Sequence, residues 1–115
     1  MSAKISGPWL DIVRDPYYGW GVAIGSFKCS DTKAFFERGT CKRFAPIAAV
    51  LARKLTALHR AEELRDLMSP PGNRLEALVG DRKGQHSIRV NDQFRLCFVW
   101  TNDGPEQVEC VDYHA

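Results

Sequence analysis

The chain has 115 residues, of which 44% are hydrophobic and 26% are charged, a composition typical of one ordinary globular domain. Its net charge of +2 does not by itself indicate a nucleic-acid partner. No run approaches the ~18 apolar residues that a membrane span needs, and charges interrupt the N-terminal region where a signal peptide has its apolar core. We therefore expect a cytoplasmic protein without membrane contact.

The first segment differs from the rest of the chain. Residues 1–20 contain an aromatic cluster without sustained periodicity, so we expect them to lie outside the core. Residues 23–29, AIGSFKC, are typical of a short first strand. The next run, DTKAFFERG, predicts a helix that Ser30 or Asp31 caps and that Gly39 ends.

The longest helix is predicted to begin at Pro46, whose missing N–H costs nothing in a first helical turn. Apolar residues then recur at three- and four-residue spacing and predict one buried stripe: Ile47, Val50, Leu51, Leu55 and Leu58. Arg53 and Arg60 lie off that stripe, so the outer face of this helix is basic. A shorter helical piece, AEELRDL, ends before SPPGN, which imposes a turn.

The remaining sequence predicts strands in RLEALVG, GQHSIRV, QFRLCFVWT and EQVECVDYH, separated by turn sequences. Alternation puts Phe94, Leu96, Phe98 and Trp100 on one face and Arg95 on the other. We expect the aromatic face to pack on the helices and the face of Arg95 to be partly open. The fold class is therefore α+β, with an antiparallel sheet and the N-terminal helices packed on one of its faces.

The four cysteines are Cys29, Cys41, Cys97 and Cys110. They have neither C-x-x-C spacing nor a histidine at metal-site spacing, so we expect no metal and no cofactor. An even number is compatible with disulfides, but nothing indicates the secreted context that disulfides need. We interpret all four as reduced and mostly buried.

Cationic residues are frequent between positions 42 and 95, and four of them form a candidate phosphate site: Arg74, Arg82, Lys83 and Arg95. Each of them alone is more often a solvated surface charge. Together on an open sheet face they can hold a phosphate through charge-assisted hydrogen bonds.

The C-terminal run VDYHA supplies groups for proton transfer. Tyr113 and His114 can give or take a proton, and Asp112 can orient one of them. With a cation to stabilise a phosphorane, this set suits metal-free cleavage of RNA by attack of a 2′-hydroxyl on its own phosphate. We expect the last strand to pair within the sheet and to deliver all three residues to the open face. His86 is expected at the sheet surface beside the site, without a catalytic role.

The run PPGNRLEALVGDRKGQHSIRVNDQFRLCFVW and the terminal VDYH resemble the HigB toxins of the RelE superfamily, close to the GraT-like branch. The resemblance covers residues 22–115 and is densest over 69–100 and 107–114. It implies the compact RelE-like fold and a ribosome-dependent mRNA endonuclease that inhibits translation and growth. It also implies the partners: mRNA, the ribosome and a helix-turn-helix antitoxin of the HigA type. The toxin would contact operator DNA only through this antitoxin.

Carried over residue by residue, the resemblance makes Arg95 the residue that stabilises the phosphate. It makes Asp112, Tyr113 and His114 the C-terminal catalytic segment. In both respects it agrees with the chemistry that the residue types favour.

Two positions depart from the family pattern. Glu76 stands where such toxins can carry a histidine, and Val79 stands where they often carry a lysine. These departures leave the general base open, and we expect mild activity, as in GraT-like relatives that also lack the histidine. They also leave an alternative open: a non-catalytic module that binds RNA, the ribosome or only the antitoxin, as a co-repressor.

The resemblance begins near Val22, which predicts a toxin domain over residues 22–115 and an N-terminal extension over residues 1–21. Because valine can mark a GTG start codon, the extension can be a mis-annotated start. In the alternative, it is a genuine segment whose Trp9, Tyr17 and Trp20 pack on the core.

Overall fold

The computed structural model describes residues 23–113, in which the helices come first and the sheet follows. Helix α1 spans Ser30–Arg38 and helix α2 spans Ala48–Arg60. Short 3₁₀ helices lie at Lys42–Ile47, Leu64–Met68, Pro71–Asn73 and Gly80–Arg82. The sequence predicts that Pro46 lies in the first turn of the long helix. It lies instead in the first of these 3₁₀ helices, just before α2 begins. The strands are β1 Glu76–Ala77, β2 His86–Arg89, β3 Phe94–Thr101 and β4 Gly104–Asp112.

The four strands form one antiparallel sheet in the order β1-β2-β3-β4, so each strand pairs with its neighbour in sequence. On β3, Leu96 stands opposite Ile88 of β2 and Cys110 of β4. Residues that stand directly opposite each other in an antiparallel pair share a face, so this register decides which side chains meet. Within residues 23–113, no helix is both long and apolar enough to cross a membrane.

One face of the sheet packs on the helices and forms the core. The fully buried large side chains are Phe35, Phe36, Phe44, Leu51, Leu55, Leu58, Leu67, Ile88, Leu96, Phe98 and Val108. Burial of one such side chain contributes about 1.5–3 kcal/mol. The predicted stripe of α2 and the predicted core face of β3 are therefore confirmed, and with them the α+β class.

Helix α1 ends as predicted but begins differently. Gly39 has φ 79°, and its N–H donates to the carbonyl four residues earlier at 2.7 Å. At the other end, Cys29 is the N-cap and no side chain caps the helix, so the predicted cap at Ser30 or Asp31 is wrong. Both of these residues lie inside the helix, and the Asp31 carboxylate pairs instead with Arg43 at 3.3 Å.

Residues 23–29 run beside β4 without forming the predicted strand. A single parallel bridge joins Phe27 to Val108. The register of β4 shifts at this point, and Gln107 has a left-handed backbone with φ 54°. Its N–H donates to the Ser26 hydroxyl at 2.9 Å in place of a backbone partner. A bulge interrupts the regular spacing of ladder groups, which explains why a continuous strand does not pair along this edge.

A buried amide holds the turn SPPGN. Asn73 is 0% exposed, and its Nδ2 donates to the carbonyls of Leu67 at 3.1 Å and Ser69 at 3.2 Å. Its Oδ1 accepts a hydrogen bond from Lys54 of α2. The amide therefore fixes the turn against α2, and the next residue, Arg74, leaves the turn in a defined direction.

We predict that Asn73→Ala lowers the free energy of unfolding by about 2–3 kcal/mol, because it removes several hydrogen bonds and leaves buried polar groups unpaired. Urea denaturation measures the change. Gly72→Ala is the matched control: an added Cβ there meets no atom within 4 Å, so stability should stay within ~0.5 kcal/mol. Equal effects of the two substitutions would contradict the role given to the amide.

Candidate functional site

The sheet face turned away from the helices carries polar and charged side chains. Glu76, Ser87, Cys97 and Glu109 stand opposite one another across the four strands and form one row on this face. Arg95 lies on the same face, two residues before Cys97 on β3. We call this surface, built on these five residues, the arginine face. Ser87 and Cys97, in the middle of this row, are 0% exposed.

Arg95 is held in place by two acceptors. Its Nε–H donates to the Ser87 hydroxyl at 2.7 Å, and its Nη2 donates to the backbone carbonyl of Arg74 at 2.7 Å. Arg74 has φ 47°, a left-handed conformation that is uncommon for a residue with a side chain. The Glu76 carboxylate lies 3.7 Å from Nη2, and the side chains of Arg95 and Glu76 are 11% and 55% exposed. The guanidinium is thus largely enclosed but lies beside a carboxylate that reaches solvent.

The turn GDRKG between β1 and β2 presents Arg82 and Lys83. Gly80 and Gly84 have φ 66° and 97°, which glycine adopts without cost, so the chain can reverse tightly here. The Arg82 guanidinium donates to the Glu109 carboxylate at 2.9 Å, and this bond raises the pKa of Arg82 above its ordinary value. Lys83 is exposed in the turn. The structure therefore brings Arg82 onto the arginine face already paired with an anion.

All four cysteines are free, and Cys97 and Cys110 are buried. Burial raises the pKa of the Cys97 thiol, although the charges of Arg82 and Arg95 act in the opposite direction. Burial likewise raises the pKa of Cys110 to about 12. Both thiols are therefore neutral near pH 7 and act as packing groups. Within residues 23–113, no three His, Cys, Asp or Glu side chains come together as a metal site requires.

The C-terminal segment reaches the arginine face through Tyr113. Its N–H donates to the carbonyl of Gln93 at 2.7 Å, so the backbone is still paired one residue beyond β4. Its ring lies beside the Arg95 guanidinium, with the Arg95 Cζ 5.8 Å from the ring centroid, and Tyr113 is 40% exposed. At this distance a cation–π attraction holds the two side chains together. His114 lies outside the described residues.

Two other residues fall on the opposite face. Asp112 stands opposite Phe94, and its carboxylate accepts a hydrogen bond from the side chain of Gln93 at 3.0 Å. The expectation that the last strand delivers Asp112 to the open face is therefore wrong, because successive residues of a strand point to opposite sides. His86 is half-buried on the core face, where its ring stacks on Phe98 at 6.3 Å, so it does not lie beside the site as expected.

Sequence reasoning misses the groups that support the two arginines. It does not select Ser87 or Glu109, and it selects Arg74 for its side chain, whereas the backbone carbonyl of Arg74 makes the contact with Arg95. The alternation of side chains along β2 would place Ser87 on the same face as Arg95. It does so only once the register between β2 and β3 is known.

In this domain, helices precede an antiparallel meander that carries arginines on its open face. Together with the sequence match to a toxin family, this arrangement defines a RelE-like α+β domain. Comparison of sequences specifies the family. Residues 25–114 match the family described as the RelE-like toxin of the type II toxin-antitoxin system HigB. The chain belongs to this HigB-like family of toxins, and a toxin of a type II system has an antitoxin as its partner.

Two relatives illustrate the similarity. Toxin HigB-1 of Vibrio cholerae serotype O1 is 45% identical over 90 residues, which cover 76% of this chain and 94% of that toxin. An uncharacterized protein of Haemophilus influenzae is 46% identical over 71 residues, which cover 60% of this chain and 70% of that protein.

We predict that Glu109→Gln lowers the free energy of unfolding by about 1–2 kcal/mol, since it removes the charge that Arg82 contacts at 2.9 Å on a side chain only 13% exposed. Asp31→Asn is the matched control, because its pair with Arg43 is 3.3 Å long and both side chains are about half exposed. The control should cost less than ~0.5 kcal/mol. Urea denaturation of both variants tests the difference, and equal losses would argue against a structural role of the Glu109 pair.

Proposed function

We propose that this protein is an endoribonuclease that cleaves mRNA on the ribosome and thereby inhibits translation and growth. Toxins of the RelE and HigB type are generally endoribonucleases, which supports the enzyme class. The placement of Arg95 carries the proposal. Its guanidinium is fixed by two hydrogen bonds of 2.7 Å on the open face of the sheet, beside a carboxylate and a phenol.

The proposed reaction is a transesterification. The 2′-oxygen attacks the adjacent phosphorus, and the bond to the 5′-oxygen of the next nucleotide breaks, leaving a 2′,3′-cyclic phosphate and a 5′-hydroxyl. A base accepts the 2′-proton, a cation stabilises the negative charge that builds up on the phosphate oxygens, and an acid protonates the departing oxygen. Arg95 is the cation in this scheme.

We assign the role of base to Glu76. Within residues 23–113, Glu76 is the residue whose carboxylate forms an ion pair with Arg95, at 3.7 Å. Its side chain is 55% exposed, so a substrate can reach it. A phosphate bound to Arg95 brings its neighbouring 2′-hydroxyl to this side of the sheet. Glu109 is unsuited to the task, because Arg82 already occupies its carboxylate at 2.9 Å.

We assign protonation of the leaving oxygen to the C-terminal pair Tyr113 and His114. The support is the position of the Tyr113 ring, 5.8 Å from the centre of the Arg95 guanidinium. Asp112 would act indirectly, because its hydrogen bond with Gln93 and the bond from Tyr113 N–H to the Gln93 carbonyl fix the same stretch of backbone.

The other cations are proposed to bind the RNA backbone around the cleaved phosphate. Arg74 is exposed, and its backbone carbonyl contacts Arg95 across the face. Lys83 is exposed and directly follows Arg82 in the chain. The net charge of +2 is small for tight binding of free RNA at physiological salt, which supports dependence on the ribosome to present the mRNA. This target implies action in the cytoplasm.

We propose that the antitoxin is a helix-turn-helix protein of the HigA type. Operator DNA would then be contacted by the antitoxin, and the toxin would reach DNA only through it. The support is membership of the HigB-like family. A small reading frame for a helix-turn-helix protein beside this gene, and co-purification of its product with the toxin, would test this pairing.

We predict that Arg95→Lys slows cleavage of mRNA on programmed ribosomes by roughly a hundredfold or more, because lysine keeps the charge but loses the planar fork that contacts the phosphate. Glu76→Gln should slow it by about a hundredfold, the usual contribution of a general base. Glu62→Gln, at an exposed position after α2, is the matched control and should leave the rate unchanged. Single-turnover rates with saturating ribosomes measure all three.

The same variants should bind the antitoxin as the unchanged protein does, which verifies their fold. Full activity of Glu76→Gln would remove Glu76 from the role of base. Full activity of Arg95→Lys would contradict the assignment of the whole site to phosphate chemistry.

We further predict that the protein cuts mRNA on ribosomes but hardly cuts the same RNA when it is free, and that it needs no metal of its own. Protein treated with a chelator and then desalted should keep its activity on ribosomes. Efficient cleavage of free RNA that a chelator abolishes would contradict this proposal. Ribosome binding without any cut would favour the non-catalytic alternative.

A further inference from the structure

We infer that Ser87 is a positioning residue that decides which edge of the Arg95 guanidinium is presented to a phosphate. The inference rests on the proposed function of Arg95 and extends it to a residue that does not touch the substrate. It follows from the way in which the donors of Arg95 are shared between the protein and the open side of the site.

A guanidinium has five N–H donors in one plane, arranged along a side edge and an end edge. Ser87 Oγ takes the Nε–H at 2.7 Å, and the Arg74 carbonyl takes an Nη2 donor at 2.7 Å. The Ser87 carbonyl lies 3.5 Å from the same Nη2. The side edge, formed by Nε and Nη2, is therefore filled by the protein. The Glu76 carboxylate also lies 3.7 Å from Nη2. Among the residues that the structure describes, none accepts a hydrogen bond from Nη1, so the edge that Nη1 forms is the one left for a phosphate.

The contact with Ser87 also fixes the plane of the guanidinium. Ser87 is 0% exposed, and a buried hydroxyl without a partner is unfavourable, so the hydroxyl and the Nε–H hold each other. The ring of Tyr113 limits the other direction of movement, with its centroid 5.8 Å from the guanidinium carbon. An arginine fixed in this way has lost its rotamer freedom before the substrate arrives, so the reaction does not have to supply that entropy.

The first test observes Arg95 directly. In a nitrogen–proton correlation spectrum, the Arg95 Nε–H should exchange with water much more slowly than the Nε–H of exposed Arg53. Ser87→Ala should speed the exchange of the Arg95 Nε–H at least tenfold, and Ser87→Cys, a weaker acceptor of similar size, should give an intermediate rate. Ser26→Ala is the matched control, since it removes a hydroxyl that accepts a 2.9 Å bond from Gln107 at the far edge of the sheet. Exchange of Arg95 as fast as that of Arg53 would overturn the inference.

The second test measures cleavage on programmed ribosomes. Ser87→Ala should reduce the single-turnover rate about tenfold, the rate equivalent of one hydrogen bond to a charged group, with little change in the ribosome concentration that gives half-maximal rate. In the Arg95→Lys background, which has no Nε–H, the same substitution should cost nothing further. Equal losses in both backgrounds would mean that Ser87 acts through the fold alone and would overturn the inference. If the unchanged protein does not cut mRNA at all, the proposed function fails, and the exchange measurement decides the role of Ser87.

Discussion

The alternation of side chains along β3 is the constraint on which both the core and the site depend. Leu96 and Phe98 are 0% exposed against the helices, so Arg95, which directly precedes Leu96 on the same strand, must point to the other face. A slip of one residue in the pairing of β3 would expose the two apolar side chains and bury the arginine among them. Hydrophobic burial therefore enforces the register, and the register places the catalytic candidate without any further requirement on the arginine itself.

The two partly buried arginines of the arginine face, Arg82 and Arg95, have different partners. Arg82 contacts the Glu109 carboxylate at 2.9 Å, so its charge is largely neutralised and stabilises the sheet between β4 and the turn before β2. Arg95 donates its hydrogen bonds to neutral acceptors, the Ser87 hydroxyl and the Arg74 carbonyl, and the nearest carboxylate, that of the exposed Glu76, lies farther away at 3.7 Å. A cation fixed in this way would suit the dianionic transition state of the proposed reaction, because the protein would not reorganise when the charge develops.

Loops and strand ends decide how the site is completed. The buried amide of Asn73 fixes the turn SPPGN, and the left-handed backbone of Arg74 follows directly after it, with φ 47°. The site thus depends on a carbonyl whose direction is set by a turn and not by a strand. At the C-terminus, Gln93 accepts a backbone hydrogen bond from Tyr113 and donates one from its side chain to Asp112. These two bonds hold Asp112 and Tyr113 against the turn that precedes β3.

The sequence by itself determined the parts that follow from local periodicity: the apolar stripe of α2, the end of α1 at Gly39, the two faces of β3 and the family that these residues resemble. It misplaced Asp112 and His86 and extended residues 23–29 into a strand, because the faces and the pairing of those residues depend on the register and on a bulge in β4. Only the tertiary structure decided the partners of the arginines. Those contacts join residues 8, 21 and 27 positions apart, so no local pattern contains them, and they exist only when strand pairing and turns have set the direction of each group.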